Sequence, residues 1–72
     1  MTPREELSLV EQHISETEDS IVRQLQLIEH LTADGHDTRE AEELLQVLEQ
    51  PLAAAHEHRQ LILAEIADEL PE

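Results

Sequence analysis

Residues 33–40, which read ADGHDTRE, decide the fold because they interrupt a chain that otherwise favours helix. Gly35 is the only glycine, and it stands where a helix would end in a left-handed residue. A new helix can begin just after it, since Asp37 is a good N-cap and Glu40 stands at the third helical position. The end of one helix followed at once by the start of another predicts a short turn over residues 34–37.

Regularly spaced seam positions run away from this turn in both directions. After the turn they alternate in steps of three and four, the heptad spacing of helices packed along one seam: Leu45, Leu48, Leu52, Ala55, Arg59, Ile62 and Ile66. Before the turn the stripe is Leu7, Val10, Ile14, Glu18, Ile21, Leu25, Ile28 and Leu31. The sequence therefore predicts an all-α, antiparallel, coiled-coil-like hairpin of two helices, forming one domain over residues 1–72. Helix 1 is expected at about residues 3–33 and helix 2 at about residues 38–70.

The prolines mark the ends of these helices, with one exception. Thr2, Pro3 and Glu5 form a capping-box start for helix 1, and Pro71 closes helix 2. Pro51 falls inside helix 2, where a proline removes a hydrogen-bond donor at a cost of about 3 kcal/mol. The heptad continues through Pro51, so we expect one helix with a kink there; the alternative is a break into two helices.

A charged residue interrupts each stripe: Glu18 in the first and Arg59 in the second. A short turn sets a register in which Arg59 lies opposite Ile14. From there the guanidinium can reach solvent or pair with Glu18 or Glu11. We expect a partly buried ion pair among Glu18, Glu11 and Arg59 that fixes the register; the alternative is that Arg59 binds a ligand.

Apolar residues beside the seam predict further assembly. Two helices bury only a seam, and a wider apolar stripe is typical of four-helix bundles. We therefore expect a homodimer of hairpins with two-fold symmetry, the alternative being a monomeric hairpin that awaits a different partner. The predicted dimer face consists of Leu27, Leu44, Val47, Ala54 and Leu61.

Composition excludes several classes of function. Eighteen acidic residues stand against four arginines, so the net charge is −14, which opposes direct binding to nucleic acid or to an anionic membrane. A basic protein partner fits this charge. Cysteine is absent, which excludes disulfides and thiolate metal sites. Aromatic residues are absent as well. With no apolar run of about 20 residues and an acidic start unlike a signal peptide, a cytoplasmic, bacterial location is expected.

No motif for catalysis is present, and we expect neither enzymatic activity nor a cofactor. The serines lack the glycines of a nucleophile elbow, and no glycine-rich phosphate loop occurs. The five histidines suggest a metal site, although residues two apart on a helix, such as His56 and His58, point in different directions. The candidate ligands are His13, Glu16, His56 and His58.

The stretch Gln24–Ile62 resembles a widespread group of short proteobacterial proteins, also found as tails of longer ones. The group shares a Gly-x-Asp-Thr turn and a His-x-His-Arg ending. The resemblance implies a helical hairpin and carries no activity with it. Pro51 departs from the bulkier residues of the group. The matching positions are Arg23, Gln24, Leu27, Ile28, Leu31, Gly35, Asp37, Thr38, Ala41, Leu44, Leu45, His56, His58 and Arg59.

These observations favour a small, acidic, cytoplasmic interaction or regulatory protein without catalytic activity, which self-associates through leucine-rich helix faces. One alternative is an acidic mimic of nucleic acid that occupies a basic protein. Another is a ligand or metal binder that uses the histidines and Arg59. Fold alone does not choose among them.

Overall fold

The protein is a helical hairpin, as seen in a computed structural model that describes residues 1–69. Helix α1 spans Pro3–Ala33 and helix α2 spans Arg39–Glu69, each of 31 residues. The two helices pack along their length, and the hairpin measures 59 × 20 × 14 Å. The prediction of an all-α, two-helix hairpin is confirmed. The expected end of helix 2, at Leu70 and Pro71, lies outside the described residues.

Helix α1 begins with a reciprocal pair of hydrogen bonds. The Thr2 hydroxyl oxygen accepts a bond from the Glu5 backbone N–H at 3.2 Å and donates one to the Glu5 carboxylate at 3.1 Å. Pro3 occupies the first helical position, where its missing N–H costs nothing. Glu5 also places a negative charge in the first turn, where the helix dipole favours it.

The turn ends α1 in a Schellman motif. The His36 N–H donates to the Leu31 carbonyl at 2.9 Å, and the Gly35 N–H donates to the Thr32 carbonyl at 3.1 Å. Gly35 has a φ of 76°, the left-handed conformation that this motif requires and that favours glycine. The last carbonyls of α1 therefore have partners, and the chain reverses direction at the predicted glycine.

Asp37 anchors the start of α2. Its Oδ1 atom accepts a bond from the Arg39 N–H at 3.0 Å, and its Oδ2 atom pairs with the Arg39 guanidinium at 2.8 Å. The side-chain bond first, and the backbone bond second, lower the pKa of Asp37; the same pair raises the pKa of Arg39. Both side chains are exposed, so this pairing organises the turn locally.

Helix α2 continues through Pro51 without a break. Proline has no N–H, so the carbonyl of Val47, four residues earlier, loses its helical donor. Val47 is exposed, which allows water to supply that bond.

The seam of α1 differs from its prediction at two positions. Thr17 and Gln24 are buried, whereas Glu18 and Leu25 are exposed. The buried and half-buried seam residues of α1 are Leu7, Val10, Ile14, Thr17, Ile21, Gln24, Ile28 and Leu31. The spacing of these residues alternates between three and four, as two packed helices require. The predicted stripe through Glu18 and Leu25 breaks this alternation, because it has two consecutive steps of four and later two consecutive steps of three.

Helix α2 uses the expected seam and extends it toward the turn. Its buried and half-buried seam positions are Ala41, Leu45, Leu48, Leu52, Ala55, Arg59, Ile62 and Ile66, and Leu63 is half-buried beside them. The Gln24 side-chain amide donates to the Ala41 carbonyl at 2.8 Å. This cross-helix bond explains how a polar residue is accommodated in the seam.

The register is displaced from its prediction by roughly one helical turn, or about 3.6 residues. Arg59 was expected opposite Ile14 but contacts Glu11, while Ala55 and His13 line one groove together. This axial displacement is a separate difference from the rotation of α1 that places Gln24 rather than Leu25 against α2, because rotation alone does not move residues along the helix axis.

The core is small. Among residues 1–69, the buried apolar side chains are Ile14, Ala41, Ala55 and Ile62, and Ile62 is only 1% exposed. Neither helix contains, within the same residues, an apolar stretch of the length and hydropathy needed to cross a bilayer.

Candidate interaction surface

Two shallow grooves lie on one side of the seam, between the helices. They adjoin, since His13 and Pro51 line both. The first is lined by His13, Glu16, Thr17, Ser20, Leu48 and Pro51, and the second by Val10, His13, Pro51, Ala54, Ala55 and His58. The small side chains Ser20 and Ala54, together with Pro51, account for their existence, because none of these fills the space beside the seam.

The side that carries the grooves extends along most of the hairpin. Residues seven apart on a packed helix share a side, so the groove residues indicate which neighbours lie with them. We call this surface the groove face: Leu9, His13, Glu16, Ser20, Arg23 and Leu27 on α1, and Leu44, Val47, Pro51, Ala54, His58 and Leu61 on α2.

All five residues of the predicted dimer face belong to the groove face. They are exposed, and the large ones remain about half exposed or more, from 46% for Leu27 to 65% for Leu61. Leu9 joins them, with 52% of its surface exposed. Most of the exposed large apolar side chains of the described helices therefore lie on one side of the hairpin.

The groove face is also nearly free of carboxylates. Glu16 is its one acidic residue, and it accepts a hydrogen bond from Gln12 at 3.1 Å. Arg23 lies one heptad further along the same side and donates to the Ser20 hydroxyl at 3.2 Å. The same series continues to Glu6 and Glu65 at the open end of the hairpin and to Glu40 at the turn, so carboxylates bound this face at both ends.

The opposite side of the seam carries carboxylates at heptad spacing. We call it the acidic face, and its acidic residues are Glu11, Glu18, Glu29, Glu42 and Glu49. Val22 and Leu25 lie among them and are each about half exposed. Along the whole seam the two sides hold similar numbers of carboxylates. They differ in the middle of the hairpin, within residues 9–27 and 44–61, where the acidic face holds Glu11, Glu18 and Glu49 and the groove face holds Glu16.

The predicted ion pair forms with one of its two candidate acids. Arg59 Nη2 lies 3.4 Å from the Glu11 carboxylate, with one third of the arginine side chain exposed. Glu18 is exposed and lies one heptad further along the same face as Glu11, away from Arg59. At this distance and exposure the pair contributes little to stability, about 0.2–1 kcal/mol; its role in fixing the register stays a prediction.

The four candidate metal ligands are divided between different parts of the surface. His13 lines both grooves, with Glu16 on one and His58 on the other. His56 lines neither of these grooves. Across residues 1–69, no three histidine or acidic side chains are placed to hold one metal ion.

Sequence reasoning missed Thr17, Ser20, Gln24 and Arg23 as residues of the seam and the groove face. The signal that locates them is the strict alternation of steps of three and four in α1, which selects Thr17 and Gln24 despite their polarity. Once these positions are assigned to the seam, Ser20 and Arg23 follow on the groove side.

Comparison with models of known protein families, with curated proteins and with solved structures finds no match to this chain.

Proposed function

We propose that this chain is a small, non-catalytic, cytoplasmic interaction protein that regulates a basic protein partner through its acidic face and assembles through its groove face. The observation that carries the proposal is the difference between the two sides in the middle of the hairpin: the acidic face holds Glu11, Glu18 and Glu49 there, whereas the groove face holds one carboxylate and most of the exposed large apolar side chains. A surface with two such different sides suits two different contacts.

The acidic face has the chemistry to recruit a basic protein. Exposed carboxylates seven residues apart along a helix repeat about every 10 Å, and rows of this kind from both helices flank Val22 and Leu25. Such a field steers a positively charged partner and accelerates its association. The apolar pair between the rows gives contact area that salt does not screen.

A second candidate is mimicry of nucleic acid, in which carboxylates stand in for phosphates on a basic protein. The excess of eighteen acids over four arginines favours it. The two candidates differ in salt dependence, because a contact made only by exposed charges weakens steeply as salt screens it. They also differ in competition, since a mimic and a nucleic acid exclude each other from one site.

The test is capture of partners from the native cell lysate at low and at high salt, by wild-type protein and by two variants of equal charge. The first variant replaces Glu18, Glu42 and Glu49 with glutamine. The control replaces Asp19, Glu43 and Glu57, which lie on the outer surface far from the seam, with their amides.

We expect the acidic-face variant to lose the captured protein and the control to keep it. Equal capture by both variants would show that only total charge matters and would refute a role for this face. Loss of the captured protein on addition of duplex DNA or RNA would favour mimicry.

A further inference from the structure

We infer that a second copy of this chain covers the groove face, and that the two copies lie antiparallel with Glu16 of each beside Arg23 of the other. The inference rests on the assembly half of the proposed function and is independent of the acidic face. The product is a four-helix bundle with two-fold symmetry in which both acidic faces point outward.

Charge identifies the second copy as the occupant. Two chains of net charge −14 repel each other, and approach through the groove faces brings together the sides that hold the fewest carboxylates in the middle of the hairpin. The acidic faces then lie on opposite sides of the bundle, separated by more than the screening length of about 8 Å at physiological salt. A strongly basic partner would instead be drawn to the acidic face.

The size of the surface is sufficient. The hairpin is 59 Å long and 20 Å wide, so one side offers more than the roughly 800 Å² per partner that specific interfaces bury. Its apolar residues occupy the central part of that length, about 27 Å at 1.5 Å per residue, from Leu9 and Leu61 on the side of the open end to Leu27 and Leu44 on the side of the turn.

The order of residues along the groove face favours the antiparallel arrangement. Large apolar side chains occupy both ends, whereas Ser20, Pro51 and Ala54 make the middle shallow. A two-fold axis through this middle places the leucines near the open end of one copy against those near the turn of the other. The small central residues let the helices approach closely.

The charged residues select the same arrangement. If the copies were parallel, the two-fold axis would place α1 of each copy against α2 of the other, so Glu6 would meet Glu65 of the second copy and Glu16 would lie near its Pro51, without an arginine beside it. In the antiparallel arrangement Glu16 comes level with Arg23 of the second copy, and the open end with its acids comes level with His30. Glu16 therefore has a basic partner in only one of the two orientations.

Sedimentation equilibrium at micromolar concentration tests the interface. We expect wild-type protein to sediment at twice the 8.2 kDa chain mass. The double variant Val47→Glu, Leu61→Glu is expected to be monomeric and still helical, because both side chains are more than half exposed in the hairpin. The control variant Val22→Glu, Leu25→Glu adds the same charge at similar exposure on the other side and is expected to remain dimeric.

A monomeric wild-type protein would overturn the inference, and so would dissociation of both double variants to the same degree. If the acidic-face variant loses partner capture while it stays dimeric, that result concerns only the proposed recruitment of a basic protein. The two proposals therefore fail separately.

A charge exchange tests the orientation. We expect Arg23→Glu to raise the dimer dissociation constant at least tenfold, and addition of Glu16→Arg to restore it to within about threefold of wild type. The matched control is Arg23→Glu with Glu18→Arg, which has the same net charge but places the new arginine on the acidic face. Equal restoration by both exchanges would overturn the antiparallel pairing, since it would show that net charge alone controls association.

Discussion

Replacement of Ile62 by alanine tests the seam most directly. Ile62 is 1% exposed and is the largest fully buried side chain of the described residues. The change removes three carbon atoms at about 0.8 kcal/mol each, and the unfilled cavity raises the loss of unfolding free energy to about 3–4 kcal/mol. For a chain of this length, each kcal/mol lowers Tm by about 4–8 °C, so we expect a fall of at least about 12 °C or complete unfolding.

Leu25→Ala is the matched control for Ile62→Ala. It also removes three carbon atoms, but Leu25 is 49% exposed, so only about half of their burial free energy is lost. We therefore expect the free energy of unfolding to decrease by about 1 kcal/mol. Urea unfolding followed by circular dichroism at one protein concentration measures both, since self-association would make stability depend on concentration. A larger loss for Leu25→Ala than for Ile62→Ala would refute the seam and restore the stripe through Glu18 and Leu25.

Three further substitutions probe the turn and the polar seam positions. Gly35→Ala should lower the free energy of unfolding by about 1–2 kcal/mol, the cost of a left-handed alanine. A clash adds nothing to this cost, because a Cβ there would meet no atom within 4 Å. No loss in urea unfolding would contradict the positive φ. Gln24→Leu should leave stability unchanged or raise it, since the Ala41 carbonyl still has its helical donor; a fall in the urea midpoint would show that the amide bond outweighs apolar packing. Arg59→Leu should keep the fold and a Tm at or above that of wild type, because the 3.4 Å pair with Glu11 is weak. A lower Tm for Arg59→Leu would assign that pair a larger role.

The turn and the helical character of both arms could be predicted because their causes are local. Gly35 is needed for a left-handed residue, Thr2 and Asp37 carry capping side chains, and these effects act within a few residues of chain. The same is true of the seam in α2, where the apolar residues themselves follow the heptad. Helical order through Pro51 also follows from that uninterrupted pattern.

The rotation and register of α1 could not be predicted in the same way. Leu25 is more apolar than Gln24, so hydropathy alone assigns it to the seam; the bond from Gln24 to the Ala41 carbonyl, which reverses that choice, joins two distant parts of the chain. Which acid pairs with Arg59 could not be predicted either. The rotation and displacement of α1 bring Glu11, rather than Glu18, level with Arg59. Regular spacing was the better guide here than residue polarity.

The turn at Gly35 also sets the order in which the chain folds. Pairs beside the turn close short loops, and the entropy lost on closure rises as pairs form further from it. We therefore expect the helices to join first near Leu31 and Thr38 and then pair progressively toward their free ends. In stopped-flow experiments, substitutions beside the turn should slow folding, whereas those near Ile62 should mainly accelerate unfolding. A single glycine would thus govern the speed of folding while taking no part in the buried seam.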